Sequence, residues 1–180
     1  MASVGHAMIG MAVGRLWCTK ERSRWSPVTA MAIGAGLSLL PDLDALGFAM
    51  GVKYAAPWGH RGATHSLAFA AGVAVLVGLG AKAAGCSARW AALLAWGVVA
   101  SHGLLDALTD GGLGSALLWP FSQKRYFAPW RPLAVAPIGR GLLSAAGLRV
   151  ARSELLVFSP FLLYALWPRK RETATLADRR

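Results

Sequence analysis

The chain has 180 residues, of which 56% are hydrophobic and 15% charged, with a formal net charge of +11; a soluble domain carries about 25% charged residues. With a mean hydropathy of +0.47, this balance excludes an ordinary soluble protein and points to one integral membrane domain with a full core. Eight tryptophans and several long uncharged runs are foreign to a soluble nucleic-acid binder, so the positive charge reads as attraction to anionic lipid headgroups, with no direct nucleic-acid contact expected.

The start, "MASVGHAMIGMAVGRLW", places its arginine after the apolar stretch, which is the wrong order for a cleaved signal peptide. Residues 4–17 are short for a crossing and are expected to tilt, to thin the bilayer or to dip in and return. Residues 28–50, 66–84 and 90–108 are apolar segments near the roughly 20 residues a spanning helix needs. Residues 154–168 are shorter but end in Trp167 and the basic "RKR", the pattern of an interfacial anchor. Between 109 and 153 the prolines and glycines would leave backbone groups unpaired in lipid, so this stretch is expected as an ordered loop or as short interfacial helices over one end of the bundle. The expected fold is all-α: a multi-spanning membrane helix bundle of four to five transmembrane segments, capped by that Pro/Gly/aromatic loop. Cys18 and Cys86 match no metal or redox spacing and read as packing residues. No lipidation motif is present.

Polar residues stand out against this background. The four histidines are His6, His60, His65 and His102, and four of the five aspartates, Asp42, Asp44, Asp106 and Asp110, lie in or beside apolar segments. A charge inside a bilayer costs about 2.5 to 3.5 kcal/mol even on lenient scales. If successive segments cross in turn, His6 begins the first, Asp42 and Asp44 end the second, His60 and His65 precede the third, and His102 and Asp106 end the fourth; all converge near one face. His102 and Asp106, four apart, share a helix face. Pro41 disfavours continuing its helix, and a broken backbone there would turn Asp42 and Asp44 the same way.

Imidazoles and carboxylates without thiolates are ligands for zinc, manganese or iron. The set His6, Asp42, Asp44, His60, His65, His102 and Asp106 is large enough for one or two divalent cations, zinc first and manganese second; two ions would share a bridging carboxylate. Arg61, and Lys124, Arg125, Arg131 and Arg140 in the loop over the same face, suit a phosphate. Glu154 reads either as an acid at a helix N-terminus or as a catalytic group.

The succession "GHAMIG", "LLPDLDALG", "HRGATHSL", "SHGLLDALTDGG", "LLWPFSQKRYFAPWRPLAVAPIG" and "RSELLVFSPFLL" closely resembles the YdjM-like membrane-bound metal-dependent hydrolases, also described as LexA-binding inner-membrane-associated hydrolases. The resemblance covers nearly the whole chain to about residue 168 and implies a multi-pass protein of the bacterial inner membrane with a metal site. The glycine-histidine start, the early aspartate, the two middle histidines and the His-x-x-x-Asp pair are also similar to the zinc phospholipase C and single-strand nuclease superfamily. That pattern implies His102 and Asp106 as ligands, Asp106 as a bridge, and Asp42 or Asp44 as a further ligand or base. The superfamily's closing His-x-x-x-Glu pair is missing, since no histidine follows His102, and Glu154 supplies only the acid.

The expected protein is thus a single integral membrane hydrolase-like domain over 1–168 with a basic flexible tail over 169–180. The expected activity is metal-dependent hydrolysis of a phosphoester in a lipid or lipid-linked substrate at the interface. Arg61, Asp44 and Glu154 are its candidate catalytic residues, and Lys124, Arg125, Arg131 and Arg140 would bind substrate. The rival reading is a non-enzymatic regulator with a structural metal site, whose basic loops bind a repressor-like protein partner. An ion pathway is disfavoured because the far halves of the segments are Ala, Val, Leu and Gly. Eleven of the nineteen basic residues fall opposite the site, which leans the site outward.

Overall fold

The computed structural model describes residues 1, 3–20 and 25–168. Arg22, Arg24 and the tail 169–180 lie outside them. Six α-helices carry the described residues: α1 (Val4–Lys20), α2 (Pro27–Leu39), α3 (Leu67–Ala83), α4 (Ala88–Ala107), α5 (Ala145–Val157) and α6 (Ser159–Leu166). Among the described residues there is no strand, only two isolated bridges in the loop after α4. Serine opens four of the helices. Ser26, Ser66, Ser87 and Ser144 each accept a hydrogen bond from the backbone N–H three residues on, supplying one of the acceptors a helix start lacks.

Two elements are long and apolar enough to cross a membrane: Pro27–Met50, in which α2 runs on into a 3₁₀ helix, and Ala88–Ala107. α3 is equally apolar but has 17 residues, about 25 Å of helix against a hydrocarbon core of about 30 Å. The segment expected to span at 154–168 does not form one helix. α5 begins inside the stretch read as an ordered loop or short interfacial helices, and the chain breaks at Phe158 before the eight-residue α6. Pro160 is the cause: it has no N–H for the Leu156 carbonyl, which accepts instead from the Ser159 hydroxyl at 2.8 Å.

α1 packs along α2 and α3 along α4, with α4 also touching α1 and α2 and with α6 laid on α1. The α1–α2 contact is backbone against backbone. A methyl group added at Gly10, Gly14 or Gly34 would run into the facing carbonyl of Gly34, Ala30 or Gly10. Small residues at such a crossing let helices meet in a medium where apolar surface alone provides no drive to associate. Two small cores result, one of Met1, Met8, Leu133 and Phe158, the other of Ala70, Val98, Val99 and Ala100.

The stretch from 109 to 143 wraps the end of α4. Ala128 N–H donates to the Ala107 carbonyl at 2.8 Å, Leu67 N–H to Leu117 at 3.0 Å, and Ala116 N–H to Arg61 at 3.0 Å. Asp110, at the start of this loop, holds it by accepting from Val135 N–H at 2.8 Å.

Candidate metal centre

Pro41 sets the first part of the site. Lacking an N–H, it cannot bond to the Leu37 carbonyl, and Leu40 N–H does so instead, switching α2 into the 3₁₀ helix Leu40–Met50. Asp42 and Asp44 leave this helix in different directions and meet opposite ends of one imidazole. Asp42 Oδ1 lies 3.8 Å from His65 Nε2, and Asp44 Oδ2 lies 3.1 Å from His65 Nδ1.

The second part is the turn "HRGATHS". His60 Nδ1 is 2.7 Å from Asp44 Oδ1, and Arg61 N–H and the Thr64 hydroxyl donate to Asp44 Oδ2 at 3.1 and 2.7 Å. Asp44 therefore stands as the hub of this turn. Arg61 adopts a left-handed backbone, φ 61°, sparsely populated for a residue with a side chain and common where the surroundings over-determine a site. The turn also needs Gly103, because a β-carbon there would collide with the carbonyl of His65.

α4 and α1 complete the set. His102 Nδ1 is 2.6 Å from the backbone carbonyl of Ser38. A carbonyl can only accept, so Nδ1 carries the proton and the lone pair of the neutral ring sits on Nε2. That atom is 3.3 Å from Asp42 Oδ1 and 3.8 Å from Asp106 Oδ2. Asp106 Oδ2 is also 3.4 Å from His65 Nε2. His6 stacks on His102 with ring centroids 3.7 Å apart, its Nε2 3.6 Å from Asp106 Oδ1.

One ligand atom from each of Asp42, His65, His102 and Asp106 lies within 4.8 Å of all the others, so these residues could hold a metal ion; Asp44, His60 and His65 form a second such group. The first group fits an ion on its own geometry. His65 Nε2 and His102 Nε2 are buried without a hydrogen-bond partner, which an interior does not leave uncompensated. The nitrogen-to-oxygen separations of 3.3, 3.4, 3.8 and 3.8 Å are too long for good hydrogen bonds. The shorter two fall within the roughly 3.3 to 3.6 Å edge of a tetrahedron set by metal bonds of about 2.0 to 2.2 Å, and the two of 3.8 Å lie slightly beyond it. Burial opposes a charged His65 ring, yet the carboxylates of Asp106, Asp42 and Asp44 more than offset this and push it up to about 10.

Arg61 is buried, and its guanidinium is engaged inward. Nη2 donates to Asp106 Oδ1 at 3.2 Å, Nε lies 3.1 Å from Oδ2, and Nη1 donates to the Thr109 hydroxyl at 2.8 Å and the Gly111 carbonyl at 3.1 Å. The amino group of Met1 also reaches Asp106 Oδ1, at 3.1 Å. Arg125 latches the loop to the turn, donating to the carbonyls of Tyr54, Ala56 and His60 at 2.8 to 3.1 Å. Lys124, Arg131 and Arg140 are exposed. Glu154 sits near the end of α5 rather than opening a segment, and accepts from Gly5 N–H at 3.0 Å, where its charge suits the start of α1.

Four contributors have no sequence signal of their own: the Ser38 carbonyl, Thr64, Thr109 and Ser3, whose hydroxyl donates to Asp42 Oδ2 at 2.9 Å. Thr64 at least lies inside the histidine-rich turn.

The family model for the YdjM inner membrane protein matches residues 1–173. The chain is 38% identical over 175 residues to the inner membrane protein YbcI of Escherichia coli K12, covering 93% of this chain and 98% of that one. No solved structure matches. The chain belongs to the YdjM inner membrane protein family.

Proposed function

We propose, from that membership and the geometry of the cluster, that the protein is a membrane-embedded metal-dependent hydrolase acting on a phosphoester in a lipid or lipid-linked substrate. The observation that carries the reading is the pair of unpartnered nitrogens, His65 Nε2 and His102 Nε2, aimed with Asp42 and Asp106 at one point. A divalent ion bound there would polarise a phosphoryl oxygen and supply a water ionised near neutral pH.

The residues divide the work. His65 in its neutral form has one lone pair; with Nε2 given to the ion, Nδ1–H points to Asp44 at 3.1 Å. Asp44 is then the carboxylate that orients a ligating histidine, as the Ser38 carbonyl orients His102. This favours one ion, with zinc ahead of manganese. Arg61 positions Asp106 and balances its charge rather than reaching outward to a phosphate. Asp42, with a quarter of its side chain exposed, is the open edge of the cluster. Lys124, Arg131 and Arg140 remain for an anionic headgroup. In this reading α1, α2 with its 3₁₀ extension, α3 and α4 would each cross, with the site under one leaflet, in one domain over 1–168.

One observation favours the rival reading, a regulator with a structural metal. Two histidines and two aspartates close a tetrahedral zinc sphere, and His65, His102 and Asp106 are almost wholly buried. Elemental analysis of detergent-purified protein, followed by hydrolysis assays on phospholipids and generic phosphoesters, separates the two. One equivalent of metal with turnover supports the hydrolase. Bound metal with no turnover of any phosphoester leaves the regulator.

A further inference from the structure

Beneath the metal cluster the four long helices line a half-open cavity of about 370 Å³. Its walls are apolar side chains and glycine. Trp17, Trp25 and Cys86 stand at one end, and Leu37 and Val98 at the other. Small residues make the room: Gly34 on α2, Gly80 on α3, and Ala91 and Ala95 on α4. The inner end is close to the metal centre, since Val98 precedes His102 by four residues, about 6 Å along α4, and Leu37 neighbours Ser38, whose carbonyl holds His102. Ile33, Leu37 and Asp42 then follow one another along α2 and its 3₁₀ extension, from the cavity to the open edge of the site.

We propose that this cavity seats one hydrocarbon chain of a membrane lipid, with the chain end toward Trp17 and Cys86 and the headgroup toward Asp42. The head half of this assignment rests on the hydrolase reading; the chain half does not. Water is a poor occupant, because apolar cavities stay dry. A second helix is too wide, since one turn of about 10 Å diameter exceeds the whole cavity. A hydrocarbon chain fits: the volume matches about twelve groups the size of a water, at about 30 Å³ each. The walls include both spanning elements, Pro27–Met50 and Ala88–Ala107, so the medium outside is itself hydrocarbon.

The test uses the full chain in phosphatidylethanolamine–phosphatidylglycerol vesicles containing a phosphatidylglycerol with a photolabile diazirine. The label is placed at the chain terminus or beside the headgroup. The terminal label should mark peptides containing Trp17 or Cys86, and the proximal one those containing Leu37 or Val98. Ala95→Leu, which fills the cavity, and Ile33→Trp, which narrows it from a partly exposed position, should each lower that labelling about tenfold with metal content unchanged. Labelling confined to the outward residues Val75, Leu76 and Leu93, or unaffected by either substitution, would overturn the proposal. Cavity labelling without hydrolysis of any phosphoester keeps the chain site and sinks the hydrolase reading. Hydrolysis without cavity labelling does the reverse.

Discussion

The two ends of α4 solve opposite problems. At its C-terminal end His102 and Asp106 are buried among polar partners, while about two and three turns before His102 Ala95 and Ala91 face an apolar cavity. The polar end tolerates little change because each group there compensates another: Asp106 meets Arg61, His6, His65 and the Met1 amine within 3.6 Å. The apolar end has shape but no directional bonds. Substitutions at the first end should therefore cost binding and stability, and at the second they should change occupancy with little effect on the fold.

The strongest challenge to this contrast is His102→Ala. It should take bound metal from about one equivalent to under about a tenth, read by elemental analysis, since a ligand and its Ser38-fixed orientation vanish together. Metal retained in full would mean that the cluster is not the site. Next, Asp106→Asn strands the Arg61 charge in the interior and should cost about 3 to 5 kcal/mol in detergent unfolding. Replacing both residues, as Asp106→Leu with Arg61→Met, should recover most of that loss; no recovery would show that Asp106 acts on stability through its histidines instead. Asp44→Asn sharpens the division of roles: metal affinity should fall about 10- to 100-fold while binding persists. Complete loss would make Asp44 a ligand and bring back a second ion.

At the apolar end the effects shrink. Gly34→Ala drives a methyl into the Gly10 carbonyl and should cost about 1 to 3 kcal/mol. Ala95→Leu adds more atoms yet should cost under about 1 kcal/mol, because the cavity receives them. If Ala95→Leu proved the more damaging of the two, the cavity would not be available space.

Much of the site could be named before any fold was known, for a physical reason. Histidine and aspartate in apolar runs are too costly to be incidental, and the fold brings Asp42, Asp44, His60, His65, His102 and Asp106 close together. What the chain could not disclose was the role of each. Asp42 and Asp44 look equivalent in "PDLD", yet the 3₁₀ pitch after Pro41 sends one to the Nε2 side of His65 and the other to the Nδ1 side. Arg61 looks like a phosphate ligand and is instead turned onto Asp106. Arg125 looks like one more cation of the loop beside Lys124, Arg131 and Arg140, yet it latches the loop to the carbonyls of Tyr54, Ala56 and His60. For the fold, the all-helical class was legible from composition, and two spanning elements stood out by length. The break at Phe158 is not legible in the apolar run 154–168, and the start of α5 is announced only by its Ser144 cap.

Composition and patterning by themselves determined that this is a helical membrane chain with an unaffordable polar set that has to be gathered and compensated. Tertiary structure alone decided which nitrogens of His65 and His102 are left without a hydrogen-bond partner and which end of His65 each carboxylate meets. It also decided that a chain-sized space lies below the cluster. Those outcomes depend on helix pitch and on backbone carbonyls and glycines facing one another across elements, and such contacts leave no mark on the identity of any single residue.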